Sequence, residues 1–164
     1  MIALRLEGED AQVSFGRRVA AHLPCPCVIL LKGELGTGKT TLVRGVLRGL
    51  GYTGTVRSPT YTLLEPYELG GRRLFHLDLY RLGDPRELEF LGLGDLLDQD
   101  SILLVEWPER AAGALPTPDV EIRIGYARQG RDLKLQGHSP AGELLLTRLA
   151  GDHRGDIRGG KGNL

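Results

Sequence analysis

Val28-Ile29-Leu30-Leu31 leads through Lys32 into Gly33-Glu34-Leu35-Gly36-Thr37-Gly38-Lys39-Thr40, and Thr41-Leu42-Val43-Arg44-Gly45-Val46-Leu47 continues without a break. The first run is β-branched and apolar throughout, the pattern of a strand buried on both faces. The last has an apolar stripe at helical spacing. Between them stands G-x-x-x-x-G-K-[ST] in full. Strand, glycine loop and helix in that order make a phosphate cradle: Gly36 and Gly38 permit torsions closed to residues with a Cβ, so that successive N–H groups turn inward. The helix beginning near Lys39 adds its positive end. In such a loop Lys39 is expected to reach the β- and γ-phosphates of a nucleotide, and the Thr40 hydroxyl to coordinate Mg²⁺.

Outward from this core the chain alternates strands and helices. Ile2 to Leu6 alternates apolar and polar residues as a strand does, and a helix is expected from Asp10, its N-cap, to the stop at Pro24. Beyond the loop helix, a polar stretch holds Arg57-Ser58-Pro59-Thr60. Tyr61 to Tyr67 and Arg72 to Tyr80 read as strands closed by the Gly70-Gly71 turn into an antiparallel hairpin. Asp84-Pro85 has the form of an N-cap with Pro at the first helical position. Ser101 to Val105 is a second buried strand, Asp119 to Tyr126 and Arg131 to Gln136 are two more, and Ser139-Pro140 caps a last helix to about Leu149. The expected fold is α/β, a P-loop NTPase-like mixed sheet with a parallel centre and an antiparallel hairpin, flanked by helices. Residues 1–150 are expected as one domain, with the Gly-rich 151–164 as a disordered tail.

Composition bounds the function. Twenty-one Lys and Arg balance 21 Asp and Glu in 164 residues, which argues against a general nucleic-acid or membrane coat. The tail sets Arg154, Arg158 and Lys161 against Asp152 and Asp156 and reads as a solvated end. No apolar run approaches the ~18 residues that span a bilayer, and Met1 to Arg5 lacks the apolar core of a signal peptide. A cytoplasmic protein is expected. Cys25 and Cys27 are too close for an unstrained disulfide loop and too few for a structural zinc site, so they read as ordinary thiols.

A nucleotide site of this type needs an acid near the metal, at the end of a neighbouring strand. Glu106 comes directly after the apolar run Ile102 to Val105 and so arrives at the same sheet edge as the loop; a solvated strand end is the plain alternative. Asp78 shares one strand face with His76 and Tyr80 by alternation. That row is costly in a core and natural beside a site, although Asp78 could simply be a hydrogen-bonded strand residue. A lone His76 is commonly a packing residue, and Trp107 is either a hydrophobic cover or a nucleotide or partner contact.

Together, Gly33 to Thr41, Ser58-Pro-Thr-Tyr-Thr-Leu-Leu-Glu-Pro-Tyr67, His76-Leu-Asp-Leu-Tyr-Arg81 and Val105-Glu-Trp-Pro108 closely resemble the TsaE (YjeE) family of small bacterial ATPases, over about Glu9 to Leu149. The resemblance implies a role in making N6-threonylcarbamoyladenosine at position 37 of tRNA. The implied partners are TsaB and TsaD, with tRNA reached indirectly through them and no membrane involved. It implies ATP and Mg²⁺ as ligands, with Gly33, Glu34, Leu35, Gly36, Thr37, Gly38, Lys39, Thr40 and Thr41 around the nucleotide. Thr40 and Glu106 fall on the metal positions, and Asp78, Glu106 and Lys39 on the catalytic ones. Ser58, Pro59, Thr60, His76, Tyr80, Arg81 and Trp107 are expected as a switch or partner-responsive set. Gln12 and Glu34 depart from the family, which often carries Thr and Asp there. Two other readings stay open: a small-molecule kinase, for whose Arg-bearing lid Arg81 and Arg86 could serve although the sequence shows no long lid insertion, and a nucleotide-gated binding module.

Overall fold

The structure is a computed structural model and describes residues 1–59 and 61–156. Its strands are β1 (Ile2–Leu6), β2 (Cys27–Lys32), β3 (Leu64–Leu69), β4 (Arg72–Asp78), β5 (Ser101–Glu106), β6 (Val120–Ala127) and β7 (Gly130–Gly137). Its α-helices are α1 (Glu9–His22), α2 (Lys39–Gly49), α3 (Leu93–Leu96) and α4 (Pro140–Asp156), with 3-10 turns at Pro85–Leu91 and Pro108–Ala111. The strands form one mixed sheet in the order β1-β7-β6-β2-β5-β4-β3. The four central strands β6, β2, β5 and β4 run parallel, while β3 at one edge and β7 and β1 at the other are antiparallel. This is the expected α/β class, with two antiparallel pairings besides the β3–β4 hairpin, β6 with β7 and β7 with β1.

Strands β2, β4 and β5 are mostly buried because both of their faces are covered, whereas β6 alternates buried residues with half-buried or exposed ones. All six residues of β5 are buried. Ile29 and Leu31 of β2 point into a core shared with Phe15, Val19, Leu42, Val46 and Leu145, under α1, α2 and α4. Leu30 points the other way, into a second core with Phe75, Leu77, Leu88 and Val105. Helices α1 and α2 cross in backbone contact through glycines. A Cβ on Gly45 would lie 2.4 Å from the Val13 carbonyl oxygen and 2.9 Å from the Val13 Cα. Backbone cannot swing aside as a side-chain tip can, so Gly45→Ala is expected to destabilise the protein by about 2–3 kcal/mol, read as a lower urea midpoint at unchanged slope.

Several boundaries differ from the sequence expectation, each for a local reason. Helix α1 starts after Gly8, whose φ of 86° suits only glycine, and no side chain caps it; Asp10 lies inside the first turn instead. Tyr61 to Leu63 are not strand: Leu63 has φ 65° and its N–H donates to the Pro59 carbonyl at 2.9 Å, closing a turn. Strand β4 stops at Asp78, whose Oδ1 accepts the Tyr80 N–H at 3.0 Å in place of a ladder partner. Asp84 does cap its segment by accepting the Arg86 N–H at 2.9 Å. That segment is 3-10 in form and buries only Leu88, too small an apolar face to extend it. Ser139 starts α4 by accepting the Gly142 N–H at 3.0 Å. The helix continues past Leu149 to Asp156, with His22 of α1 paired to Asp152. The expected tail therefore begins as helix, and its remainder, 157–164, lies outside the described residues.

Candidate functional site

Parallel strands bring their carboxyl ends, and the segments that leave them, to one sheet edge. At the carboxyl ends of β2, β5 and β4 stand, respectively, the glycine loop, Glu106 and Asp78, with Leu31 opposite Glu106 and Glu106 opposite Asp78 in register. They surround a cleft of about 500 Å³ lined by Leu35, Gly36, Gly38, Lys39, Thr40, Thr41, Ser58, Asp78, Tyr80, Arg81, Glu106 and Trp107. The volume lies within the range of small-ligand sites.

Within the loop, Gly36 and Gly38 hold φ of 79° and 99°, as the cradle requires. Lys39 is buried, and its Nζ donates to the carbonyls of Gly33 at 2.6 Å and Glu34 at 2.8 Å. The same ammonium lies 4.3 Å from the centre of the Trp107 ring. Burial pulls the Lys39 pKa below its ordinary value, while the neighbouring acids Glu106, Asp78 and Glu109 act to raise it. The Thr40 hydroxyl donates to the Glu106 carboxylate, 2.9 and 3.1 Å from its two oxygens. Thr37 has no exposed surface: its hydroxyl bonds the Glu34 carbonyl at 2.9 Å, so its side chain fastens the loop and does not face the cleft.

The acids differ in surroundings. Glu106, 3% exposed, accepts from Thr40 on one side and from His76 Nε2 at 2.5 Å on the other, so this buried carboxylate is well bonded. Asp78 accepts the Tyr80 N–H, and burial pushes its pKa above the ordinary carboxylate range, with the nearby Glu106 charge adding to the rise. The Asp78 backbone is tied to the segment after Pro59, since its N–H donates to the Leu63 carbonyl at 3.0 Å.

The set expected to respond to a switch or partner divides. Ser58, Tyr80, Arg81 and Trp107 line the cleft. Trp107 takes a left-handed φ of 57°, a conformation that costs an L-residue about 1–2 kcal/mol; its ring is packed 4.9 Å from Tyr80 and over Lys39. Pro59 is buried and Thr60 lies outside the described residues. His76 does not line the cleft: it is wholly buried behind Glu106, to which its Nε2 is bonded. Three residues beside the loop escaped the motif reading. The Gln12 amide, the Tyr126 hydroxyl and the Arg131 guanidinium all donate to loop carbonyls. The one sequence signal among them was the departure at Gln12; Tyr126 and Arg131 sit on a hairpin far along the chain and carry no local pattern.

Among the described residues, no group of three or more His, Cys, Asp or Glu is gathered to hold a metal ion, and no helix is long and apolar enough to cross a membrane. Both cysteines are free, and burial pushes the Cys27 thiol up to about 12.

Sheet order, glycine loop and cleft define a P-loop NTPase-like α/β protein. The family model described as "Threonylcarbamoyl adenosine biosynthesis protein TsaE" matches residues 6–133. A tRNA threonylcarbamoyladenosine biosynthesis protein TsaE of Haemophilus influenzae is 42% identical over 144 residues, covering 85% of this chain and 91% of that one. The protein of the same name from Borreliella burgdorferi is 31% identical over 136 residues, covering 82% and 98%. Among solved structures, YdiB of Bacillus subtilis superposes with a TM-score of 0.79 at 27% identity, over 93% of this chain and 95% of that one. The chain belongs to the TsaE family of threonylcarbamoyl adenosine biosynthesis proteins.

Proposed function

We propose that this protein hydrolyses ATP as an accessory of tRNA N6-threonylcarbamoyladenosine synthesis, acting on a complex of TsaB and TsaD and reaching tRNA only through it. One observation carries the ATPase reading: a Gly-rich loop, its lysine, a threonine hydroxyl and two carboxylates from separate strands share one cleft.

Chemically, the loop N–H groups and Lys39 offer fixed positive charge to a triphosphate. Thr40 and Glu106 are the residues that would hold Mg²⁺. The donor set fits: Mg²⁺ prefers oxygen ligands and is usually held by one or two protein groups together with substrate phosphates and water. This agrees with a hydroxyl and a carboxylate joined by a hydrogen bond, without a larger ligand cluster among the described residues. When bound, Mg²⁺ supplies charge neutralisation at the phosphate oxygens. Asp78, which burial makes readier to take a proton, orients the attacking water. The oxygen of that water forms a bond to the γ-phosphorus as the bond to the β–γ bridging oxygen breaks, its electron pair staying with ADP; the water's proton passes by way of Asp78 to solvent, and ADP and free phosphate leave.

The test tracks the γ-phosphate of labelled ATP in the isolated protein and with purified TsaB–TsaD. Label is expected in free phosphate, slowly alone and at least about tenfold faster with the complex, as in P-loop proteins whose site a partner completes. Label transferred to an organic hydroxyl supports the kinase reading instead. Equal release with and without TsaB–TsaD removes that complex as the target.

A further inference from the structure

We propose that Gln12, Tyr126 and Arg131 form a brace on the outer side of the glycine loop that holds it in its phosphate-accepting shape before any nucleotide arrives. The proposal rests on the nucleotide reading but concerns residues outside the cleft's motifs.

In such a cradle each peptide unit whose N–H turns inward turns its own carbonyl outward. Outward carbonyls in a short loop ordinarily meet water, and the loop is then free to relax. Here they meet protein. The Tyr126 hydroxyl donates to the Leu35 carbonyl. Arg131 straddles the next two, its Nη2 3.4 Å from the Gly36 oxygen and its Nε 3.2 Å from the Thr37 oxygen. The Gln12 Nε2 reaches the Thr37 oxygen as well, at 2.9 Å. Three consecutive carbonyls are thus held by donors from α1, β6 and β7. The donors are themselves fixed. Tyr126 and Arg131 are register partners on the β6–β7 hairpin, and the guanidinium lies 4.7 Å from the Tyr126 ring centre. A third bond, from Nη1 to the Gly130 carbonyl at 2.8 Å, keeps the fork in place.

The glycines report the brace independently. A Cβ on Gly36 would lie 3.0 Å from the Tyr126 hydroxyl, and one on Gly38 between 2.2 and 2.7 Å from the amide atoms of Gln12. At both positions the space a side chain would take is occupied by the brace, so these glycines serve the outer face of the loop as well as its torsions. The physical gain is preorganisation. Fixing a residue's backbone costs about 1–2 kcal/mol, and a loop fixed during folding does not meet that cost again on binding. The Arg131 charge at the Thr37 carbonyl also polarises that peptide unit, strengthening the positive end at the Gly38 N–H.

The test compares Arg131→Ala, Arg131→Lys and Tyr126→Phe with the unaltered protein in two measurements. Deuterium uptake of the loop amides in the nucleotide-free protein is expected to quicken about tenfold in Arg131→Ala, the loss of a charged hydrogen-bond donor, with the sheet amides unchanged. ADP affinity by calorimetry is expected to fall about tenfold in Arg131→Ala and less in Tyr126→Phe, with the change in ATP turnover falling on KM. Arg131→Lys keeps the charge but cannot straddle two carbonyls, so it should stay close to the alanine variant. Unchanged loop exchange in both Arg131→Ala and Tyr126→Phe overturns the brace, as does full recovery by Arg131→Lys, which would make the effect one of charge alone. If Arg131→Ala does not fold, Tyr126→Phe decides, since it deletes one hydroxyl from a half-exposed residue. Failure of the unaltered protein to bind ADP would sink the nucleotide reading, while the exchange arm still judges the brace.

Discussion

Lys39→Ala is expected to lower ATP turnover by a hundredfold or more, roughly the loss of one preorganised charge contact in a water-poor site, and to weaken ADP binding with it. The lysine stands at the floor of the cleft with its ammonium bonded to two loop carbonyls and covered by the Trp107 ring. Burial disfavours this charge and the acids opposite partly restore it. A phosphate tail would add acceptors where the ammonium has already lost most of its water, so the attraction acts at low screening. Alanine removes that attraction and leaves the Gly33 and Glu34 carbonyls without their donor. Stability should change little, because the loss of two hydrogen bonds is set against release of a desolvated cation. Phosphate release and ADP calorimetry on a variant with wild-type thermal melting would check this. Turnover within about threefold of the parent, far short of what loss of such a contact does elsewhere, would mean the cleft is not where ATP reacts.

How much of this could be read from the sequence depended on whether the signal was local. The strand–loop–helix unit was legible because buried strands, positive-φ glycines and helical stripes each leave a pattern within a few residues. Glu106 and Asp78 were legible for a related reason: each ends an apolar strand, and parallel strands bring their ends to one edge. The alternation argument for His76, Asp78 and Tyr80 succeeded for the pair within β4. The strand stops short of Tyr80, because the Asp78 side chain captures the Tyr80 N–H, yet Tyr80 still lines the cleft beside Asp78. Alternation gives His76 a face but not its depth, and its ring lies wholly buried against Glu106. The loop's outer contacts were not legible at all. Gln12 and Arg131 lie 25 and 94 residues from Thr37, and only the sheet order β7-β6-β2 and the glycine-to-glycine crossing of α1 and α2 bring them together.

Asp78→Asn should separate function from stability in one substitution. Turnover is expected to drop by about a hundredfold, at the lower end of the loss seen when a positioned acid–base group is removed, while ADP affinity stays within a few-fold. The same change should raise the melting temperature of the free protein by a few degrees. Asp78 is buried, its carboxylate faces Glu106, and the attraction of Lys39 and His76 does not offset the lost hydration, so its pKa is raised. For a carboxyl raised on folding, the native state binds the proton more tightly than the unfolded chain. The associated stability is therefore present below the ordinary carboxylate range and is lost as pH rises through the elevated folded value. At neutral pH the ionised side chain is a standing cost, which asparagine removes while keeping the shape and an acceptor for the Tyr80 N–H. Melting curves across pH should show the two proteins converging in acid and parting toward neutrality, with the variant higher. Turnover of the parent should fall on acidification at a pH above that of an ordinary aspartate. A variant that melts lower than the parent at neutral pH, or that hydrolyses ATP at the parental rate, would show that Asp78 is held in the cleft for packing and not for the water it is proposed to orient.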